Sequence, residues 1–175
     1  MSKLIVQRGY SLIELLIALL ISTVLILSVS TVYSSITGLV NTSKNLENAQ
    51  EVLRYSSEVF TRSLKQTSLN PTVTSTQLNV EQTENNIACD GSIPVNDYTE
   101  VFTLNSNNLL CDIGDGPKVI LTGIESINFS SLEKIISITV QPQALYGESS
   151  GSGPAQAIQI DIALSQIILI NAMGL

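Results

Sequence analysis

Between Leu15 and Ser43 the chain carries no charged residue, and its apolar runs Leu15–Ile21 and Val24–Leu27 are interrupted only by Ser22 and Thr23. Continued to Val40, this stretch exceeds the ~20 residues that cross a bilayer as a helix. No proline occurs between Tyr10 and Asn70, and Gly38 is the lone glycine there, so one continuous helix is predicted. Asn70-Pro71 stops it, because the residue before a proline is pushed out of the helical region. In the outer half, Leu46, Ala49, Leu53, Phe60 and Leu64 recur at helical steps with Ser56 filling the gap. That stripe needs a surface to lie on, and the segments that follow supply one.

After Pro71 the pattern changes to period two. A first strand is expected from Val73 through Ser75 and Gln77 to Val80, and a hairpin from Glu100–Leu104 and Leu109–Cys111 around Asn105-Ser106-Asn107-Asn108. Lys118–Leu121, Ile127–Phe129 and Ile135–Val140 continue the series. Ile158, Ile160, Ile162 and Leu164 alternate with Gln159, Asp161 and Ala163 as the clearest strand. Between them, Gln141 to Ala155 has the Gly, Ser and Pro content of a surface loop. Ile167–Ile170 is expected to be another buried strand or a final element docked on the sheet. The fold class is therefore α+β, a long amino-terminal helix whose outer half packs on a carboxy-terminal antiparallel sheet.

Composition sharpens this picture. Of 175 residues 44% are hydrophobic and only 13% charged, against a usual charged share of about 25%. The uncharged stretch accounts for part of the deficit, and the remainder, with acids at ordinary spacing, reads as a tethered soluble domain. The net charge of −7, with no run of adjacent Lys or Arg, opposes direct nucleic-acid binding. The absence of histidine removes Ser-His-Asp and Cys-His catalysis and most zinc sites, leaving only carboxylate or lysine chemistry formally open. Cys89 and Cys111 are too far apart for a CxxC redox motif, and a structural disulfide in an oxidising compartment is expected. Asp112-Ile113-Gly114-Asp115-Gly116 offers oxygen ligands but lacks the third acid and terminal Glu of a calcium loop, so it reads as an Asp/Gly turn. Asp90, Asp97 and Glu100 show no acid–base spacing and read as a solvated polar loop. No catalytic residue, metal site or cofactor is assigned.

The amino terminus carries the strongest signal. Lys3 and Arg8 precede the apolar run, and positive charge keeps that end cytoplasmic. An ordinary secretory signal cleaved near Ser28-Val29-Ser30, which would free a soluble secreted protein, is the alternative. Glu14 opposes it, because an unpaired carboxylate deep in a bilayer costs about 2–3 kcal/mol. Ser11 and Glu14 have the spacing of a capping box, which by itself would explain both residues.

Arg8-Gly9-Tyr10-Ser11-Leu12-Ile13-Glu14-Leu15-Leu16 resembles the type III signal of type IV pilins and type II secretion pseudopilins. The resemblance implies that a membrane prepilin peptidase cuts between Gly9 and Tyr10 and methylates the new amino terminus at Tyr10, where the family more often has Phe. It also places Glu14 at the family's glutamate, where it pairs with the ammonium of a neighbouring helix in a filament; buried charges persist only when paired.

Asn48-Ala49-Gln50-Glu51-Val52-Leu53-Arg54-Tyr55, with the basic turn that follows it, and Pro117 through Phe129 are similar to PilW-type minor pilins and to the J-type pseudopilin. The family's major pilins usually carry a proline in the membrane half, which this chain lacks. The implied organisation is a leader at 1–9, a membrane and filament-core helix at 10–40, an amphipathic half at 41–70 and a β-rich domain at 71–175. The implied function is a minor pilin that helps to initiate pilus assembly and sits at or near the tip, with a J-type pseudopilin as the alternative. The implied location is the inner membrane, crossed once with the carboxy-terminal domain periplasmic, and then the filament. The implied partners are the prepilin peptidase and other minor and major pilins.

Overall fold

The computed structural model describes residues 11–143 and 157–173. Its first element, α1, is a 55-residue helix, Leu12–Gln66. The chain divides into two units, Met1–Asn41 and Thr42–Leu175.

In the first unit α1 is long and apolar enough to cross a membrane, and its apolar stretch is nowhere buried. The hydroxyls of Ser22, Thr23, Ser28, Ser30, Thr31 and Thr37 donate back to carbonyls three or four residues earlier. The polar interruptions of the apolar run are thus satisfied within the helix, as a lipid environment requires.

In the second unit the outer part of α1 is followed by β1 (Thr72–Val73), β2 (Gln77–Gln82), β3 (Tyr98–Asn105), β4 (Asn108–Asp112), β5 (Lys118–Thr122), β6 (Ile124–Leu132), β7 (Ile135–Pro142), β8 (Ile158–Ala163) and α2 (Ser165–Met173). All strand pairs are antiparallel, and they form two sheets, β1-β2-β3-β4-β5 and β6-β7-β8. The result is an α+β, pilin-like arrangement of a long helix and antiparallel sheets.

The expected single sheet is divided at Gly123. This residue has φ +83° and separates β5 from β6 by itself. Its N–H and that of Ile124 both donate to the Asn107 carbonyl, at 3.0 and 3.1 Å, which turns the chain out of the first sheet. The corner is tied to the helix: the Gly123 carbonyl accepts from the Gln143 N–H at 2.8 Å, and the Gln143 carbonyl accepts from Asn48 Nδ2 at 3.1 Å.

The expected strand from Val73 to Val80 is two strands, because the Thr74 hydroxyl oxygen accepts from the Gln77 N–H and folds the chain between them. The β3–β4 hairpin turns on Ser106 and Asn107, both at positive φ, with Asn105 and Asn108 paired across it. Ile167–Ile170 belongs to a helix, and of its side chains only Ile167 is fully buried. Four consecutive apolar residues have no period with which to declare strand or helix. Of the expected loop, Gln141 and Pro142 complete β7, and residues 144–156 lie outside the described residues.

The core is built on Phe60, whose ring meets Phe102 and Phe129 edge-on at 5.1 and 5.8 Å. The buried face of α1 differs from the expected stripe. Leu46 is 59% exposed, whereas Val52, Ser56, Val59, Phe60, Ser63 and Leu64 are buried. Two serines can occupy that face because their hydroxyls have acceptors, the Val52 carbonyl for Ser56 and Glu100 for Ser63.

Candidate functional site

Gly9 and Tyr10, the expected cleavage and methylation positions, lie outside the described residues. The description begins at Ser11, whose Oγ accepts from the Glu14 N–H at 3.3 Å while its carbonyl accepts from the N–H groups of Glu14 and Leu15. Half of the expected capping box is therefore formed: the serine caps the first turn. Glu14 is exposed in that turn, where the positive end of the helix favours a carboxylate. The site at this end is an apolar helix uncovered along its length and headed by one acid.

A second constellation lies in the other unit. Glu100 is 1% exposed, which overturns its reading as part of a solvated loop. Its Oε1 accepts from the Cys89 N–H at 2.7 Å, and its Oε2 accepts from the Ser63 hydroxyl and from Gln82 Nε2 at 3.2 Å. Gln82 Nε2 also donates to the Ser63 carbonyl at 2.8 Å. One carboxylate thus joins α1, β2 and the 83–97 loop. Burial pushes the Glu100 carboxyl above its ordinary range, against the opposing pull of its three donors. The signal that could have located it is the register of β3. Glu100 and Phe102 are two residues apart and so share a face, and Phe102 belongs inside.

The neighbouring acids have different partners. Asp90 pairs with Lys118 at 2.7 Å, and hydrogen bonds from Lys118 and then Ser92 hold its carboxyl at about 2. Asp97 remains exposed and accepts from the Glu84 N–H at 3.0 Å. Cys89 and Cys111 are joined in a disulfide with Cα atoms 6.3 Å apart, linking the 83–97 loop to β4. Asp112 Oδ1 accepts from the N–H groups of Gly114 and Gly116, an Asx turn. No group of three or more metal-ligating side chains gathers among the described residues. Asp90, Asp97, Glu100 and Asp112 each accept from a backbone N–H and so stabilise the chain around them.

Comparison with curated proteins and with solved structures gave no match. Residues 6–30 match the family model of the prokaryotic N-terminal methylation motif. Proteins with this motif are structural rather than enzymatic, and it implies processing by a prepilin peptidase and, with the apolar helix, anchoring in the inner membrane. The chain carries a type IV pilin-like prepilin signal, as a pilin-like protein or a pseudopilin does.

Proposed function

We propose that this chain is a non-enzymatic structural subunit, a PilW-like minor pilin that helps to start pilus assembly. It is cut after Gly9, methylated on Tyr10 and held by its helix in the inner membrane with residues 42–175 in the periplasm. It then passes into a filament near the tip. The carrying observation is that the apolar helical stretch from Leu12, much of it inside the matched methylation motif, is not buried among the described residues. Such a helix needs lipid first and other helices afterwards, and a filament core provides the second. The lack of proline in this stretch supports a minor subunit over the bulk one. In the filament, Glu14 holds the amino-terminal ammonium of a neighbouring subunit.

The test combines the mass of the mature amino terminus with the variant Glu14→Val. The expected results are a methylated Tyr10 terminus, unchanged cleavage in the variant, and loss of the variant from sheared filaments. The monomer loses little, because Ser11 still caps the turn. A neighbouring ammonium left buried without its counter-charge costs several kcal/mol, roughly 3–5. A start near Ser30 would refute the prepilin reading, and wild-type incorporation of the variant would refute the pairing.

A further inference from the structure

Within the 83–97 loop only Ala88 and Cys89 are buried. The remainder is half-buried or exposed, so the loop has no apolar core of its own to keep it against the strands. Apart from the Tyr98 hydroxyl, which donates to the Asn86 carbonyl at 3.3 Å, its ties to helix and sheet gather at three successive residues. The Ala88 carbonyl accepts from Arg62 Nη2 at 3.3 Å, the Cys89 N–H donates to Glu100 Oε1 at 2.7 Å, and Asp90 Oδ2 meets Lys118 Nζ at 2.7 Å. The Cys89–Cys111 bond joins the same point. Four elements therefore hold one spot: α1 through Arg62, β3 through Glu100, β4 through Cys111 and β5 through Lys118.

Strand register explains the convergence. Cys111 is paired with Phe102 of β3 on one side and with Lys118 of β5 on the other, and Glu100 stands two residues from Phe102 on the same face. The two strands that flank Cys111 thus each send a side chain to Cys89 or to its neighbour. The loop also keeps its own shape, because the N–H groups of Asn85, Ala88 and Gly91 donate to the carbonyls of Pro94, Ser92 and Ala88, and Asp90 Oδ1 accepts from the Ser92 N–H and hydroxyl. None of these contacts uses a sulfur.

We infer that the 83–97 loop is a strap with two independent locks, the Cys89–Cys111 bond and a clasp made by Arg62, Glu100 and Lys118, either of which alone keeps it on the sheet. The bond then hardens a loop that is already in place, and the reduced chain presents the same surface as the oxidised one. Cys89 and Cys111 are 2% and 1% exposed. The seated strap covers its own sulfurs, so the reactivity of a free thiol there reports whether it is down.

The experiment uses the full-length chain in detergent carrying Cys111→Ala, which removes the bond and leaves Cys89 as the single thiol. Iodoacetamide should label Cys89 at least roughly 50-fold more slowly than in the urea-unfolded chain. Adding Lys118→Met should raise the rate roughly threefold, a modest effect because the Lys118 side chain is half exposed. Lys118→Met with Glu100→Gln, which leaves Cys89 a weaker, uncharged acceptor, should raise it at least roughly tenfold. In the disulfide-bonded chain the same pair of substitutions should leave hydrogen exchange of the Ala88 and Gly91 amides within about threefold of wild type. Labelling of Cys89 at the unfolded rate in a chain with a native near-ultraviolet circular dichroism spectrum would overturn the clasp. So would a labelling rate that the paired substitutions do not change, whereas free exchange of those amides in the bonded variant would overturn the bond as a sufficient lock. Where Cys111→Ala loses the native spectrum, the rate is read on the wild-type chain reduced with a phosphine: two protected thiols support the clasp, and two thiols labelled at the unfolded rate overturn it.

Discussion

Replacing Glu100 by Ala would leave three buried donors without an acceptor: the Cys89 N–H, the Ser63 hydroxyl and one Gln82 N–H. Each orphaned buried donor costs about 1–3 kcal/mol. Gln82 keeps its second acceptor, the Ser63 carbonyl, and the Ser63 hydroxyl can turn toward a backbone carbonyl, so the Cys89 N–H carries most of the loss. With the cavity left by the side chain, the expected total is about 3–5 kcal/mol. Glu100→Gln keeps one acceptor oxygen for Cys89 but sets an N–H against Gln82 Nε2, so about 1–2 kcal/mol is expected.

The assay is urea unfolding of the full-length chain in detergent, with near-ultraviolet circular dichroism reporting the Phe60 and Tyr98 environments and the disulfide intact. The midpoint should fall in the order wild type, Gln, Ala with an unchanged slope. The pH dependence adds a check. A carboxyl raised on folding binds its proton more tightly in the native state, so its contribution is fully present below the ordinary glutamate value and declines as pH rises through the raised one. Stability should therefore fall as pH rises from about 4.5, the ordinary value, and Glu100→Gln should remove that slope. An Ala variant as stable as wild type, or a Gln variant with the same pH slope, would refute the assignment of Glu100 as the joint between helix, sheet and loop.

Three further outcomes are expected. Replacing Cys89 and Cys111 together by Ser opens a loop with a sequence separation of 22 and should cost about 3 kcal/mol in the chain-entropy model; equal urea midpoints with and without the bond would contradict it. Gly9→Val should block processing, because a β-branched residue does not fit a pocket shaped for glycine, and the longer precursor should accumulate on a gel. Gly123→Ala places a side chain at φ +83° with its Cβ 3.2 Å from Asn48 Oδ1, and a loss of about 1–3 kcal/mol is expected; a neutral result in a thermal melt would show that the corner is not held as described.

The elements that sequence made legible are those with a strong period or a strong interruption. The stretch that is proline-free from Tyr10 and charge-free from Leu15 announced α1, and the alternation from Ile158 to Leu164 announced β8. What escaped was decided by partners far away in sequence. Ser63 reads as a polar position on a helix, and Glu100 as an acid in a polar stretch, until folding brings them together across 37 residues. Leu46 fits the helical period as well as Val52 does, but it is exposed where Val52 is buried. The division into two sheets followed from one glycine at positive φ and its hydrogen bonds to Asn107 and Gln143, features with no periodic signature.

The amino-terminal site reverses this relation between sequence and structure. There the motif is legible residue by residue, whereas the structure shows an acid whose N–H is engaged by Ser11. Capping requires Ser11 Oγ and the Glu14 N–H, and both are engaged; it does not require a carboxylate at position 14, since any residue brings the same N–H. The cap thus makes no demand on the carboxylate itself, which stands where the helix's positive end favours it and the apolar run makes charge expensive. Glu100 provides the contrast within the same molecule, a buried acid whose two oxygens are both occupied by its own chain. On the proposed reading, an acid that the cap itself does not need is the partner of a cation that another chain brings.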